Sequence, residues 1–145
     1  MISIIMPTIW RGEHYKEMLP LLDDHPLVEE ILVIDNDFSK TDKNIFSLKK
    51  LNYYKSVTNL FVNPSWNLGI KLVKGDKICL YSDDVWFDVS CIDDVYPMLT
   101  PENGVFGFSA KSIGKEEKIQ KLDWETPQIV PTPGMHYCYG ICMFM

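Results

Sequence analysis

Arginine is nearly missing from this 145-residue chain. Arg11 stands alone among 14 basic residues, the rest being lysines, against 20 acidic residues and a net charge of −6. Nucleic-acid binders gather positive charge on one face to displace counterions from phosphates, so nucleic acid is not an expected partner. A small phosphate ligand could not rely on a cluster of arginine forks either. A metal ion, a helix N-terminus or a few lysines would have to take that part. Long hydrophobic runs are absent too. None approaches the roughly 20 residues needed to cross a bilayer, and no transmembrane segment is expected. Met1-Ile2-Ser3-Ile4-Ile5-Met6 has neither a basic start nor a small-residue cleavage site, so it does not read as a signal peptide. Cysteine is sparse: Cys79, Cys91, Cys138 and Cys142 include no Cys-x-x-Cys pair. Cys138 and Cys142 could share a metal with His136, but ordinary core thiols in a reducing compartment are the expectation. With 46% hydrophobic and 12% aromatic residues, intrinsic disorder is excluded. A soluble, cytoplasmic, single-domain protein is the default expectation.

Three segments are continuously apolar, the pattern of strands buried on both faces: Ile2 to Met6, Ile31 to Ile34, and Ile78 to Tyr81. Shorter runs cover Val105 to Phe108 and Tyr139 to Phe144. Helical periodicity joins the first two strands, with Tyr15, Met18, Leu19 and Leu22 on one face. Another helix is expected from Ser65 to Val73, with Asn63, Pro64 and Ser65 as its N-terminus. Ser90-Cys91-Ile92-Asp93 reads as a capping-box-like start for a helix carrying Ile92, Val95 and Leu99. A further helix is expected over Asp42 to Leu51. Gly114 to Gly134, mixing Lys, Glu, Gln and prolines, reads as an irregular arm. Strands alternating with helices imply βαβ units: an α/β, Rossmann-like, mainly parallel sheet with helices on both faces.

Each buried strand gives way to polar residues at its C-terminal end. Pro7-Thr8 follows the first, Asp35-Asn36-Asp37 the second, and Ser82-Asp83-Asp84 the third. In an open parallel sheet those ends form one crevice, where ligands of such folds bind. Asp, Asn and Ser are also good turn formers, but three such clusters at equivalent ends point to a site. Asp83 and Asp84 repel each other unless a cation or water separates them. Carboxylates of this kind suit Mg²⁺ or Mn²⁺, which share coordination with substrate phosphates. Ahead of the third strand, Asn67 and Gly69 sit early in a helix whose N-terminus would face an anion, and glycine allows close backbone approach.

These motifs resemble those of the family 2 glycosyltransferases, which have the GT-A fold. Ile4-Ile5-Met6-Pro7-Thr8 is similar to that family's first strand. Val33-Ile34-Asp35-Asn36 resembles its nucleobase-contacting motif. Asn63 with Trp66-Asn67-Leu68-Gly69 resembles in part its Asn-x-Gly…Ala-Arg-Asn-x-Gly segment, with Trp66 in place of the arginine. Ser82-Asp83-Asp84-Val85 resembles its acidic Asp-x-Asp motif. The resemblance implies one nucleotide-sugar-binding domain over residues 1–145, its acceptor-side portion short or missing. It also implies a metal-dependent, inverting transfer of sugar from a nucleotide diphosphate sugar to a glycan, lipid or protein acceptor. Pro7, Thr8, Trp10, Asp35, Asn36, Asn63, Asn67 and Asp83 would bind the donor, with Trp10 near the base, and Asp84 with Asp83 would hold Mn²⁺ or Mg²⁺.

No general base is legible. Asp123, Glu125 and His136 are the late groups able to deprotonate an acceptor, and none lies in a motif. A non-catalytic nucleotide-sugar-binding module therefore stands as the alternative. A receiver-like signalling domain would need an acidic pair where Pro7-Thr8 stands. A nucleotidyltransferase would need a Gly-rich basic loop in place of Thr8-Ile9-Trp10-Arg11-Gly12.

Overall fold

The computed structural model describes residues 1–103, 105–107 and 142–145. The chain alternates strand and helix through its first half: β1 (Ile2–Thr8), α1 (Tyr15–Asp24), β2 (Val28–Asp35), β3 (Leu51–Lys55), α2 (Val62–Leu72) and β4 (Lys77–Tyr81). A short helix α3 (Cys91–Val95) follows, then two short strands, β5 (Phe106–Gly107) and β6 (Cys142–Phe144). The sheet order is β3-β2-β1-β4-β6-β5. The first four strands run parallel, and β6 is antiparallel to β4 and to β5. The expected α/β, mainly parallel sheet is the one observed. Phe108, residues 114–134 and residues 136–141 lie outside the described residues, and with them the expected irregular arm, Cys138 and the late candidates Asp123, Glu125 and His136.

Alternation along the central strands sorts the core into two layers. Ile2, Ile4 and Met6 of β1 join Ile31 and Val33 of β2 under α1 and α3, with Met18, Leu22 and Ile92 fully buried against them. Ile5, Leu32, Ile34, Ile78 and Leu80 face the other way, toward Trp66 and Val73 at α2. Helices therefore cover both faces. Cys79 and Cys91 are buried in the first layer, as expected of core side chains.

α2 lies close to the sheet because Gly69 faces Ile5. A Cβ at Gly69 would stand 2.4 Å from Ile5 Cγ2. The approach that this glycine permits is that of the strand beneath it. At the N-terminal end of the sheet, the buried Glu30 carboxylate accepts from Ser3 Oγ (2.9 Å) and from the Lys74 backbone N–H (2.6 Å). These bonds tie the α2–β4 connection down.

Three boundaries depart from expectation, each for a local reason. The stretch from Asp42 is not one helix. A 3₁₀ turn over Lys43–Ser47 gives way to strand β3. The Asp23 carboxylate accepts from the backbone N–H groups of Lys49 and Lys50 (3.0 and 2.8 Å), which turns the chain out of helix and into the sheet. α2 starts at Val62 rather than Ser65, after Phe61 in a left-handed conformation (φ 63°). Asn63 and Pro64 thus fall in its first turn, where a missing N–H does no harm. At α3 the Ser90 side chain makes no cap bond; the Ser90 N–H donates instead to Asp88 Oδ1 at 3.0 Å.

Candidate active site

The β1–β2 ladder runs to the pair Thr8 and Asp35, whereas the β1–β4 ladder stops at Ile5 and Leu80. Pro7, buried and without an N–H to donate, follows where that second ladder ends. β1 and β4 part there, and side chains take over from the backbone. Thr8 Oγ1 donates to Asp83 Oδ2 at 2.5 Å and accepts the Trp10 backbone N–H at 2.7 Å. Trp10 Nε1 donates to Asp35 Oδ1 at 2.8 Å. Tyr53 in the middle of β3 and Thr41 donate to Asp35 Oδ2 at 2.7 and 2.5 Å. One hydrogen-bonded chain thus reaches from Tyr53 of β3 across the C-terminal ends of β2 and β1 to the residues that follow β4, in the order Tyr53, Asp35, Trp10, Thr8, Asp83.

The loop after β1 is held against the acidic end of β4. A Cβ at Gly12 would lie 2.3 Å from the Asp83 carbonyl oxygen, so glycine is the residue this contact requires. The Tyr15 N–H donates to that same carbonyl at 3.2 Å. Trp10 itself has φ 61°, a left-handed conformation that a bulky side chain adopts only at a cost. Its ring meets Tyr15 edge-on, with centroids 5.4 Å apart.

The two adjacent aspartates differ. Asp83 is partly buried, and burial pushes its carboxyl above the usual range; the Thr8 hydrogen bond opposes this, and the charge of Asp84 adds to it. Asp84 is exposed and accepts from Ser82 Oγ at 2.6 Å. Among the described residues neither is ion-paired with a lysine or arginine. No group of three or more His, Cys, Asp or Glu placed to hold a metal ion exists among the described residues. A divalent ion here would therefore rest on the two carboxylates and complete its shell with water and phosphate. That is the habit of Mg²⁺, which is bound by one or two carboxylates plus substrate phosphates. The donor set fits such an ion.

The remaining expected residues have distinct places. Asn36 is buried and fixes the entry to α2: its Oδ1 accepts from the Leu60 N–H and its Nδ2 donates to Ser65 Oγ, both at 3.0 Å. Ser65 in turn donates to the Phe61 carbonyl at 2.6 Å. Asn63 and Asn67 are exposed on α2. Trp66, where the family carries arginine, packs on the second core layer. Tyr53, Thr41 and Gly12 were not among the expected residues, and the first two hold Asp35 directly.

A cavity of about 370 Å³ lies beside these strand ends, between α1 and the 3₁₀ turn, lined by Tyr15, Leu19, Asp42 and Ile45 among others. Tyr15 donates to Asp42 Oδ2 at 3.1 Å, and burial followed by Asp42 raises its hydroxyl to about 12. It is a fixed donor rather than a base.

No protein-family model matches the chain, and no curated protein does. Solved structures do. TarS of S. aureus (residues 1–349) superposes on 68% of this chain and 32% of its own, with TM-score 0.56 and 20% identity. The mannosyltransferase PcManGT of Pyrobaculum calidifontis, solved with GDP-Man and Mn²⁺, matches 74% of this chain and 35% of its own, with TM-score 0.58 and 14% identity. The chain spans about a third of the length of each. Its fold is GT-A-like.

Proposed function

We propose that this chain is the donor-binding unit of a glycosyltransferase. It takes a nucleotide diphosphate sugar across the C-terminal ends of the parallel strands and passes the sugar to a glycan, lipid or protein acceptor. The observation that carries this reading is the convergence of Thr8, Trp10, Asp35 and Asp83 in one hydrogen-bonded chain beside Asp84. The GT-A-like fold supports it, as does the nucleotide sugar and Mn²⁺ in the mannosyltransferase neighbour.

In this reading the base lies against Trp10 and Asp35, the nucleoside against Thr8 and Asp83, and the diphosphate beside Asp84. Asp84 and Asp83 would hold Mn²⁺ or Mg²⁺, which when bound stabilises negative charge on a leaving diphosphate. Thr8 holds the Asp83 carboxylate by its hydrogen bond, and Gly12 with the Tyr15 N–H holds the Asp83 carbonyl. The acceptor hydroxyl would attack the face of the sugar opposite the diphosphate, giving inversion. The late groups named as able to aid this attack, Asp123, Glu125 and His136, lie outside the described residues.

The test is titration of nucleoside diphosphates with and without Mn²⁺, read by calorimetry and thermal shift. Binding strengthened by Mn²⁺ in the native chain and lost in Asp84→Ala is the expected result. Because Asp84 is exposed, that variant keeps the native melting temperature. Equal affinity with and without the metal would refute the metal site.

A further inference from the structure

An ionised carboxylate has about four acceptor positions and no donor, and at Asp35 all four are taken. Oδ1 accepts Trp10 Nε1 and the Asp37 N–H (2.8 and 2.9 Å); Oδ2 accepts Tyr53 and Thr41 (2.7 and 2.5 Å). The group is fully buried. A nucleobase can reach it only by replacing one of these donors.

Three of the four are fixed. The Asp37 N–H is backbone two residues along. Tyr53 is held by β3, paired in register with Val33. Thr41 stands six residues along the chain, its single hydroxyl proton directed to Asp35 at 2.5 Å, closer than the competing Phe38 carbonyl at 3.0 Å. The fourth donor differs in each respect: the indole stands on the loop between β1 and α1, is partly exposed, and hangs from a left-handed backbone. It is also the one donor that resembles a base, a flat aromatic ring offering one in-plane N–H.

We propose that Trp10 is a placeholder. In the free chain its indole N–H occupies the Asp35 position that the donor's base takes over on binding. This inference rests on the donor-binding reading above and adds to it a displacement that binding must bring about. Because the freed position on Oδ1 is an acceptor, the base that replaces the indole presents an N–H there, from its ring or from an exocyclic amino group.

The test follows the four tryptophan indole N–H signals of the ¹⁵N-labelled chain during titration with UDP, GDP, CDP or ADP in the presence of Mn²⁺. The Trp10 signal is the one absent from Trp10→Phe. It should shift on saturation with whichever of the four nucleotides binds. Trp10→Phe keeps an aromatic ring but offers no N–H, so Asp35 is no longer occupied in advance. Its affinity for that nucleotide should rise by about threefold or more. A purely structural tryptophan would leave that affinity unchanged or lower it. Should the variant fold poorly, the native indole signal still decides. Binding with a stationary Trp10 signal overturns the placeholder and leaves the donor-binding reading intact. Binding of none overturns both readings.

Discussion

Replacing Gly69 by alanine sets two opposed effects against each other, and the structure decides between them. Alanine is favoured over glycine in a helix interior by about 1 kcal/mol, so an open site would be stabilised. Here the new methyl would stand 2.4 Å from Ile5 Cγ2, 3.1 Å from Ile5 Cδ1 and 3.4 Å from Ile34 Cδ1. Ile5 is fully buried and β-branched, so Cγ2 moves only if the stiff χ1 torsion leaves its well. Overpacking of this kind costs about 1–3 kcal/mol, which exceeds the helix gain. Gly69→Ala should therefore destabilise the native chain by about 1 kcal/mol net. In an Ile5→Ala background, itself weakened by about 2–5 kcal/mol, the obstacle is gone and the same substitution should stabilise by about 1 kcal/mol. The sign reversal amounts to a coupling of about 2 kcal/mol, within the range for residues in contact. Urea unfolding of the four proteins measures it. If Gly69→Ala stabilises both backgrounds equally, α2 does not lie on β1 at this distance and the reasoning fails.

Two further predictions concern the strand ends. Thr8→Val removes a hydroxyl that serves Asp83 and the Trp10 N–H at once; a loss of about 1–3 kcal/mol in urea unfolding is expected, and a change below about 0.5 kcal/mol would show that the bonds are not formed. Burial raises the Asp83 carboxyl from 3.8, so its proton favours the folded state below that value and the benefit disappears as pH rises through the folded-state value. Asp83→Asn should therefore raise the melting temperature of the metal-free chain more at about pH 7 than at about pH 4; a gain that shrinks with rising pH would contradict this.

What the sequence disclosed followed from burial. β1, β2 and β4 lie inside the sheet and read as unbroken apolar runs, so their ends, and Thr8, Asp35 and Asp83 with them, could be located. β3 is a half-exposed edge strand, Leu51-Asn52-Tyr53-Tyr54-Lys55, with no such run. No strand is expected there, and the helix expected over Asp42 to Leu51 reaches only its first residue; the chain leaves its helical turn earlier because Asp23, some 26 residues back, holds Lys49. With β3 went Tyr53, and with Tyr53 the reason Asp35 is saturated. The start of α2 was misplaced likewise, because Asn36, and not a residue beside it, ties the chain there. Long-range hydrogen bonds made by single side chains leave no periodic trace.

The seating of Gly12 on the Asp83 carbonyl has a mechanical corollary. With no room for even one added carbon between them, the acidic tip of the sheet and the tryptophan-bearing turn form one stiff lever. A cation that drew the tip outward would tug the aromatic ring along, making the two ends of the crevice answer to each other without any hinge between them.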